Sequence, residues 1–298
     1  MSFWFVHRPW LLLLLTISAV GCRPRREIVV FHASSLSRVF GELSERLREQ
    51  GGWSVRLEPS GSNLAARKVS EHGLRADVVA VADASVLDGL LVPRFAPATV
   101  LFATNELVLA HLGHSPGTAD VTQENWPELV LGGARLGCAN PDLAPIGYHT
   151  LTAWQLAELE LQQPGLAQRL DDACHRQALA QDENELVALL EAKAIDYAFL
   201  YGSTAEDHRL KVTRLPPSVN LSLPALAASY ARASVEVHLK TGEPPTRLQG
   251  RPITYGLAVL RDAPSPAGAK AFVELLTGEE GQRTLSRHGF FPLEAGSR

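Results

Sequence analysis

Two adjacent serines, Ser34 and Ser35, stand between an apolar run at residues 28–31 and a segment whose apolar residues recur at helical spacing. This order predicts a buried strand, a tight turn and a helix that begins beside the serines. The first turn of a helix offers unpaired N–H groups and a partial positive charge, so it can hold an anion without a cation beside it. The alternative is that one serine only caps the helix.

Two further loops have the same arrangement. Residues 59–63 place Ser60 and Ser62 between a strand pattern and a helical run, and residues 140–147 lead from a strand into a helix through a Pro-Ile-Gly sequence. In open α/β sheets, ligands bind at the edge formed by the carboxyl ends of the strands. The sequence therefore predicts several helix starts around one small oxyanion.

The second half of the chain continues the alternation of helices and strands. Asp182 and Glu185 have the spacing of a capping box at a helix start, and a strand pattern at residues 195–201 ends at Tyr201. Strand patterns also cover residues 229–238 and 253–260. Strands and helices that alternate without internal repeats predict the α/β class.

Length and charge limit the function further. The chain has 298 residues, 46% hydrophobic and 20% charged, which is enough for two lobes with separate cores. Loss of residues 1–21, which contain Arg8 as their one charged side chain, changes the formal net charge from −4 to −5. An acidic chain argues against a nucleic acid as partner. It does not argue against a small anion, because local dipoles decide such binding.

The N-terminus has the pattern of an export signal. A basic start at His7 and Arg8 precedes an apolar run at residues 10–17 and small residues before Cys22. Residues 19–22, Ala-Val-Gly-Cys, resemble the lipobox of bacterial lipoproteins, in which the cysteine is lipidated. We therefore expect residues 1–21 to be a signal peptide, Cys22 to carry a membrane anchor at the cell envelope, and residues 22–26 to be its tether. The alternative is a soluble exported protein.

Motifs for catalysis and for metal binding are missing from the sequence. It has no G-x-G-x-x-G, Walker A or G-x-S-x-G pattern, and His32 beside Ser34 is expected to be structural. No Cys/His spacing typical of a metal site occurs. We therefore expect neither an enzyme nor a resident cofactor. Cys138 and Cys174 remain in the exported chain, where a disulfide and two buried thiols are both open.

Several short motifs follow one another along the chain: HASSL at 32–36, ADVVAVAD at 76–83, FATNE at 102–106, PIGY at 145–148, IDYAF at 195–199 and PITYG at 252–256. In content and order they resemble the molybdate/tungstate-binding proteins of ABC importers, which are type II periplasmic binding proteins. The resemblance implies two α/β lobes, each a mixed sheet flanked by helices, with the ligand cleft between them. Lobe I would contain residues 27–104 and 217–298, and lobe II residues 105–216.

The resemblance also implies the groups that bind the ligand. These are the hydroxyls of Ser35, Ser62 and Tyr201 and the main-chain N–H groups of Ile146 and Glu183, with Ser34 and Ser60 as secondary candidates. It implies high-affinity binding of molybdate or tungstate and delivery to an ABC permease in the membrane. We expect a monomer. The alternatives are a sulfate- or phosphate-type oxyanion binder and an oxyanion-sensing lipoprotein.

One departure from the family affects the chemistry. Members closer to the archaeal tungstate binders carry an Asp just before the Pro-x-Gly and a Glu just before the tyrosine, and these carboxylates join the metal centre. Here the positions are Ala144 and Leu200. We therefore expect a tetrahedral dianion that is held by hydrogen bonds from uncharged donors. The order of preference between molybdate and tungstate stays open.

Overall fold

The computed structural model of the chain describes Met1 and residues 26–113, 115–117, 121–174 and 179–293. Residues 2–21 of the predicted signal peptide and Cys22 lie outside the described residues, so the predictions for them stay untested. Within the described ranges, no helix combines the length and the apolar character that crossing a membrane requires.

The described residues form twelve strands and eleven α-helices. The strands are β1 (Glu27–Ala33), β2 (Ser54–Ser60), β3 (Val78–Val81), β4 (Val100–Thr104), β5 (Leu107–His111), β6 (Leu136–Gly137), β7 (Tyr197–Tyr201), β8 (Lys211–Arg214), β9 (Ser234–Val237), β10 (Thr246–Gln249), β11 (Thr254–Val259) and β12 (Phe291–Pro292). The helices are α1 (Ser37–Gly51), α2 (Ser62–Ser70), α3 (Ser85–Leu90), α4 (Trp126–Leu131), α5 (Pro145–Glu160), α6 (Leu166–Cys174), α7 (Glu183–Glu191), α8 (Gly202–Asp207), α9 (Ala227–Tyr230), α10 (Pro266–Thr277) and α11 (Glu279–Arg287).

The first lobe is built on a six-stranded sheet in the order β12-β4-β11-β3-β1-β2. β1 runs parallel to both β2 and β3, so the carboxyl ends of these three strands meet at one edge. Because side chains alternate along a strand, β1 faces two cores. Ile28 and Val30 pack in the core that contains Phe40 of α1, whereas Val29 and Phe31 pack in the core of α2 and α3.

The second lobe is built on a four-stranded sheet in the order β6-β7-β5-β8. β6 and β7 are parallel, whereas β5 runs antiparallel to both of its neighbours. Phe199 of β7 packs edge-on against Trp126 of α4 and Trp154 of α5, with ring centroids 5.3 and 5.8 Å apart. These buried aromatic rings fix the helices that flank this sheet.

The chain passes between the lobes at two adjacent places. Asn105 and Glu106 join β4 to β5, and the segment after β8 returns toward the first sheet. The Leu107 N–H donates to the carbonyl of Asn220 at 2.9 Å, so the two connections run side by side. Asn220 also donates to the Glu106 carboxylate at 3.2 Å. A paired connection of this kind lets two rigid lobes move about a short hinge.

β9 and β10 form a separate antiparallel ribbon. Its apolar residues Val235, Val237 and Leu248 pack with Tyr148 of α5, a helix of the second lobe. The prediction of one strand over residues 229–238 is wrong at its start, because residues up to Tyr230 belong to α9. Short apolar stretches do not distinguish a helical turn from a strand by periodicity alone.

Cys138 and Cys174 form a disulfide, which settles the question that the sequence left open. It ties the loop after β6 to the end of α6, across a sequence separation of 36 residues. The Cα atoms are 5.9 Å apart, a normal span for such a bond.

Candidate functional site

A small cavity lies where the two lobes meet. All seven residues that the sequence pointed to line it: Ser34, Ser35, Ser60, Ser62, Ile146, Glu183 and Tyr201. The other described lining residues are Ala33, Gly61, Ala82, Ala144 and Pro145. About 10 Å³ of this cavity is open to the centre of a water-sized sphere, so a ligand of a few heavy atoms fits and a larger organic substrate does not.

In the described part of the chain, four helical segments begin at this cavity. The turn Ser34–Leu36 leads into α1, α2 begins at Ser62, α5 at Pro145 and α7 at Glu183. Each helix N-terminus carries a partial charge of about +0.5. Four of them sum to about +2, which balances the −2 charge of a molybdate or sulfate ion. No lysine, arginine or histidine occurs among the described lining residues.

The serines at these helix starts are not caps. Neither the turn at Ser34 nor α1 nor α2 has a side-chain cap hydrogen bond, so the capping alternative for Ser34 and Ser35 is wrong. The Ser62 hydroxyl accepts the Ala82 N–H at 3.0 Å, which leaves its own hydrogen to donate. Ser60 Oγ is buried and has no hydrogen-bond partner among the described residues. Such an unpaired hydroxyl costs free energy unless a ligand satisfies it.

Two buried tyrosines lie at the cavity: Tyr201 lines it, and Tyr255 contacts the lining residue Ser35. Tyr201 stands at the end of β7, and its hydroxyl lies 2.9 Å from His149 Nδ1. Ser35 Oγ and the Tyr255 hydroxyl are 2.9 Å apart. All four side chains are buried. Their hydroxyl hydrogens can turn toward a ligand or toward each other, so their direction depends on the neighbouring groups.

Glu183 contributes more than the main-chain N–H that the sequence assigned to it. Its carboxyl group is buried at the cavity, and Oε1 accepts the Tyr201 N–H at 2.9 Å. Burial raises the pKa of Glu183 to about 8, although the hydrogen bond from Tyr201 lowers it in part. The sequence analysis assigned no role to this carboxyl group. At neutral pH the group is protonated, so it is still an uncharged donor.

The cavity is closed by contacts of α2 with the second lobe and with the segment that joins β9 to β10, the ribbon packed on α5. Arg67 of α2 donates to the carbonyls of Leu239 at 2.7 Å, Asp142 at 3.1 Å, and His238. Asn63, one residue after Ser62, also donates to the Asp142 carbonyl at 3.2 Å. These bonds hold the N-terminal end of α2 against the loop that precedes α5.

Gly61 allows the two lobes to approach closely. A Cβ atom at this residue would lie 2.3 Å from the Leu143 carbonyl oxygen of the second lobe. Real side chains do not tolerate such a distance, so a substitution there would hold the lobes apart.

Sequence reasoning missed the groups behind the lining residues. Asp83 follows β3, and one of its carboxylate oxygens accepts the Ser85 N–H at 2.9 Å. Its other carboxylate oxygen accepts the Tyr148 hydroxyl at 2.8 Å and lies 3.9 Å from His149 Nε2. Nothing in the spacing of these residues could reveal this, because Asp83 and α5 belong to different lobes. Among the described residues, no group of His, Cys, Asp and Glu is placed to hold a metal ion.

The comparisons with known proteins decide the family. A family model described as bacterial extracellular solute-binding protein matches residues 28–291. The chain belongs to this family. An uncharacterized solute-binding protein of Petrotoga mobilis is 36% identical over 266 residues, which cover 88% of this chain and 83% of that protein.

Two further relatives carry more informative names. The protein named molybdate/tungstate-binding protein WtpA of Pyrococcus abyssi is 30% identical over 284 residues, which cover 86% of this chain and 81% of that protein. The structure of the Azotobacter vinelandii periplasmic molybdate-binding protein matches with a TM-score of 0.62 at 18% identity, over 88% of this chain and 98% of that chain. The predicted two-lobe fold of the type II periplasmic binding proteins is thereby confirmed.

Proposed function

We propose that this protein binds molybdate or tungstate in the cavity between its lobes and delivers it to an ABC importer. The observation that carries the proposal is the convergence of four helix starts and the buried serines on one ion-sized space. The unpaired Ser60 hydroxyl supports it, because a ligand oxygen would supply the missing partner. The names of the Pyrococcus and Azotobacter relatives point to the same ligand.

The donor set accounts for tight binding without a cation. The hydroxyls of Ser35, Ser62 and Tyr201 and the N–H groups of Ile146 and Glu183 are the principal donors, with Ser34 and Ser60 beside them. About seven charge-assisted hydrogen bonds at roughly 1.5–3 kcal/mol each exceed the costs of desolvation and lobe closure. Nanomolar affinity, about −12 kcal/mol, is consistent with this sum. The protein needs no cofactor for it.

Selection among oxyanions follows from the size of the closed cavity. Sulfate and molybdate have the same charge and shape, so hydrogen bonding alone does not separate them. A smaller ion leaves some donors out of reach when the lobes are closed, and each unmade bond weakens binding. The bound ion keeps four oxygens, since neither Ala144, which lines the cavity, nor Leu200, which is absent from its described lining, can supply a carboxylate.

Delivery of the ion to a permease requires the protein to act outside the cell membrane. The family consists of bacterial extracellular solute-binding proteins, which supports a role as an exported binder. We infer that it works as a monomer on the outer side of the membrane and that Cys22 anchors it there by a lipid. The closed form then docks on the membrane permease.

Calorimetric titration of the mature protein with molybdate, tungstate, sulfate and phosphate tests the proposal. We expect nanomolar binding of molybdate or tungstate and no competition by millimolar sulfate. Competition by sulfate would instead support a sulfate-type binder, and tight binding without delivery in a transport assay would support a sensor.

Serine variants localise the binding site. We expect Ser35→Ala and Ser62→Ala to weaken molybdate binding by more than about tenfold each, because each loses a charge-assisted donor. Ser44→Ala and Ser70→Ala are matched controls, since these hydroxyls donate to the carbonyls of Phe40 and Ala66 on the same helices, α1 and α2. Unchanged affinity in both cavity variants would refute the assignment of the site.

A further inference from the structure

The hydroxyl of Tyr201 can donate its hydrogen either to His149 or to an anion in the cavity. It lies 2.9 Å from His149 Nδ1 and also lines the cavity. A phenol carries one hydrogen, so a Tyr201 hydroxyl that donates to His149 cannot donate to an anion. For Tyr201 to serve as a donor to the ligand, His149 must donate its own Nδ1–H to the tyrosine oxygen.

The other side of the imidazole ring permits this arrangement. His149 Nε2 is buried without a hydrogen-bond partner among the described residues. The nearest carboxylate oxygen, Asp83 Oδ2, is 3.9 Å away and already accepts the Tyr148 hydroxyl at 2.8 Å. A distance of 3.9 Å is beyond hydrogen-bonding range, so Asp83 does not hold a hydrogen on Nε2. Burial lowers the pKa of His149 to about 4, so the ring is neutral and carries a single hydrogen.

We propose that His149 is a positioning residue: it donates its Nδ1–H to Tyr201 and thereby turns the Tyr201 hydroxyl toward the bound anion. The histidine does not touch the ligand. It acts on the donor that does, from α5 of the second lobe, and it is packed edge-on against Tyr148 and Tyr201. The inference rests on the proposed function and deepens it, because it names what makes a tyrosine an anion donor in this site.

The arrangement also depends on lobe closure. Asp83 follows β3 in the first lobe, whereas Tyr148 and His149 lie on α5 in the second. The Tyr148 hydroxyl bond to Asp83 therefore forms only when the lobes meet. It fixes the turn of α5 that carries His149, so the orientation of Tyr201 is set in the closed form that holds the ligand.

A double-mutant cycle with sodium molybdate tests the proposal by calorimetry. We expect His149→Leu to weaken binding about tenfold, as expected for loss of one oriented donor to a charged ligand. In the Tyr201→Phe background the same substitution should change affinity less than about twofold, because the two residues act through one hydroxyl. An equal loss in both backgrounds would show that His149 only packs the site, and would overturn the proposal.

Two amide variants add a position-specific control. The side-chain amide of His149→Asn places an N–H near the former Nδ1, whereas that of His149→Gln places it near the former Nε2. We expect the Asn variant to stay within about threefold of wild-type affinity and the Gln variant to resemble the Leu variant. An Asn variant as weak as the Leu variant would count against the proposed donor at Nδ1.

Nitrogen NMR of the wild-type protein measures which ring nitrogen of His149 carries the hydrogen, and it does not depend on the folding of a variant. With molybdate bound, the His149 ring should carry its hydrogen on Nδ1, and a hydrogen on Nε2 would overturn the inference. The histidine signal is assigned by its loss in the Asn variant. If the wild-type protein binds none of the four anions, the proposed function fails and this inference fails with it. If the protein binds molybdate but His149→Leu costs the same affinity with and without Tyr201, or the ring hydrogen is on Nε2, this inference fails and the proposed function stands.

Discussion

Glu183→Gln is the substitution that examines the electrostatics of the cavity most directly. In the wild-type protein, burial raises the pKa of this carboxyl group to about 8, and the group lines the space proposed for a dianion. Below that pH the carboxyl is uncharged and can donate a hydrogen bond to the ligand. Above that pH, the negative charge of the Glu183 carboxylate would repel the two negative charges of the anion. Glutamine has a similar shape, keeps an acceptor for the Tyr201 N–H and stays uncharged at every pH.

The expected size of the effect follows from proton linkage. If the anion binds only the protonated form, the apparent dissociation constant grows by a factor of one plus ten to the power of the difference between pH and pKa. With a pKa of about 8, affinity is nearly constant below pH 7 and falls about 30-fold between pH 7 and 9.5. The repulsion is strong enough for this, since a single pair of unit charges about 4 Å apart near a protein surface interacts by roughly 4 kcal/mol.

Calorimetric titration with molybdate across this pH range is the assay. We expect the wild-type curve to fall by about one decade per pH unit above its break near pH 8. Glu183→Gln should have a flat profile. Glu191→Gln is the matched control, because Glu191 ends the same helix with an exposed side chain and should leave the wild-type curve unchanged.

Two results would refute the reasoning. A wild-type affinity that stays constant from pH 7 to 9.5 would show that the carboxyl does not ionise near the ligand. An affinity that rises with pH, and is lost in Glu183→Gln, would show that the ionised carboxylate binds the metal of the ligand directly.

Three further predictions concern the closed form and its stability. Arg67→Ala should weaken molybdate binding by about tenfold, because the closed form loses three carbonyl bonds to a guanidinium; calorimetry showing no change would contradict this. Removing the disulfide by Cys138→Ala with Cys174→Ala should lower the free energy of unfolding by about 2–4 kcal/mol, and reductant should destabilise only the wild-type protein in urea melts. Burial lowers the pKa of His32 to about 4, against an ordinary value of 6.5. The unfolded chain therefore binds the extra proton first, and stability should fall by up to about 1.4 kcal/mol per pH unit as pH drops from 6.5 to 4, with a smaller slope in His32→Leu.

The local elements of the site could be predicted because their signals are local. An apolar run, two serines and an amphipathic segment specify a strand, a turn and a helix start, and the structure has them at Ser34–Leu36 and α1. The capping box at α7 is present in part: Asp182 accepts the Glu185 N–H, while the Glu185 carboxylate accepts the N–H of Gln181 rather than that of Asp182.

The direction of individual side chains could not be predicted in the same way. Glu183 begins a helix, and its sequence neighbours do not show whether its carboxyl points to water or into the cavity. In the folded protein the carboxyl turns inward and accepts the N–H of Tyr201, which lies on β7. The same holds for Ser35, whose hydrogen-bond partner Tyr255 is 220 residues away in the chain.

The sequence by itself determined the α/β class, the helix starts that carry serines and the family to which the chain belongs, because each depends on spacing within a few residues. Only the tertiary structure decided which groups face one another across the cleft. It buried a carboxyl beside the cavity, left the Ser60 hydroxyl without a described partner, and placed His149 between Tyr201 and Asp83. Burial and hydrogen-bond geometry are properties of the closed pair of lobes, and these properties set the protonation of Glu183 and the direction of the Tyr201 hydroxyl.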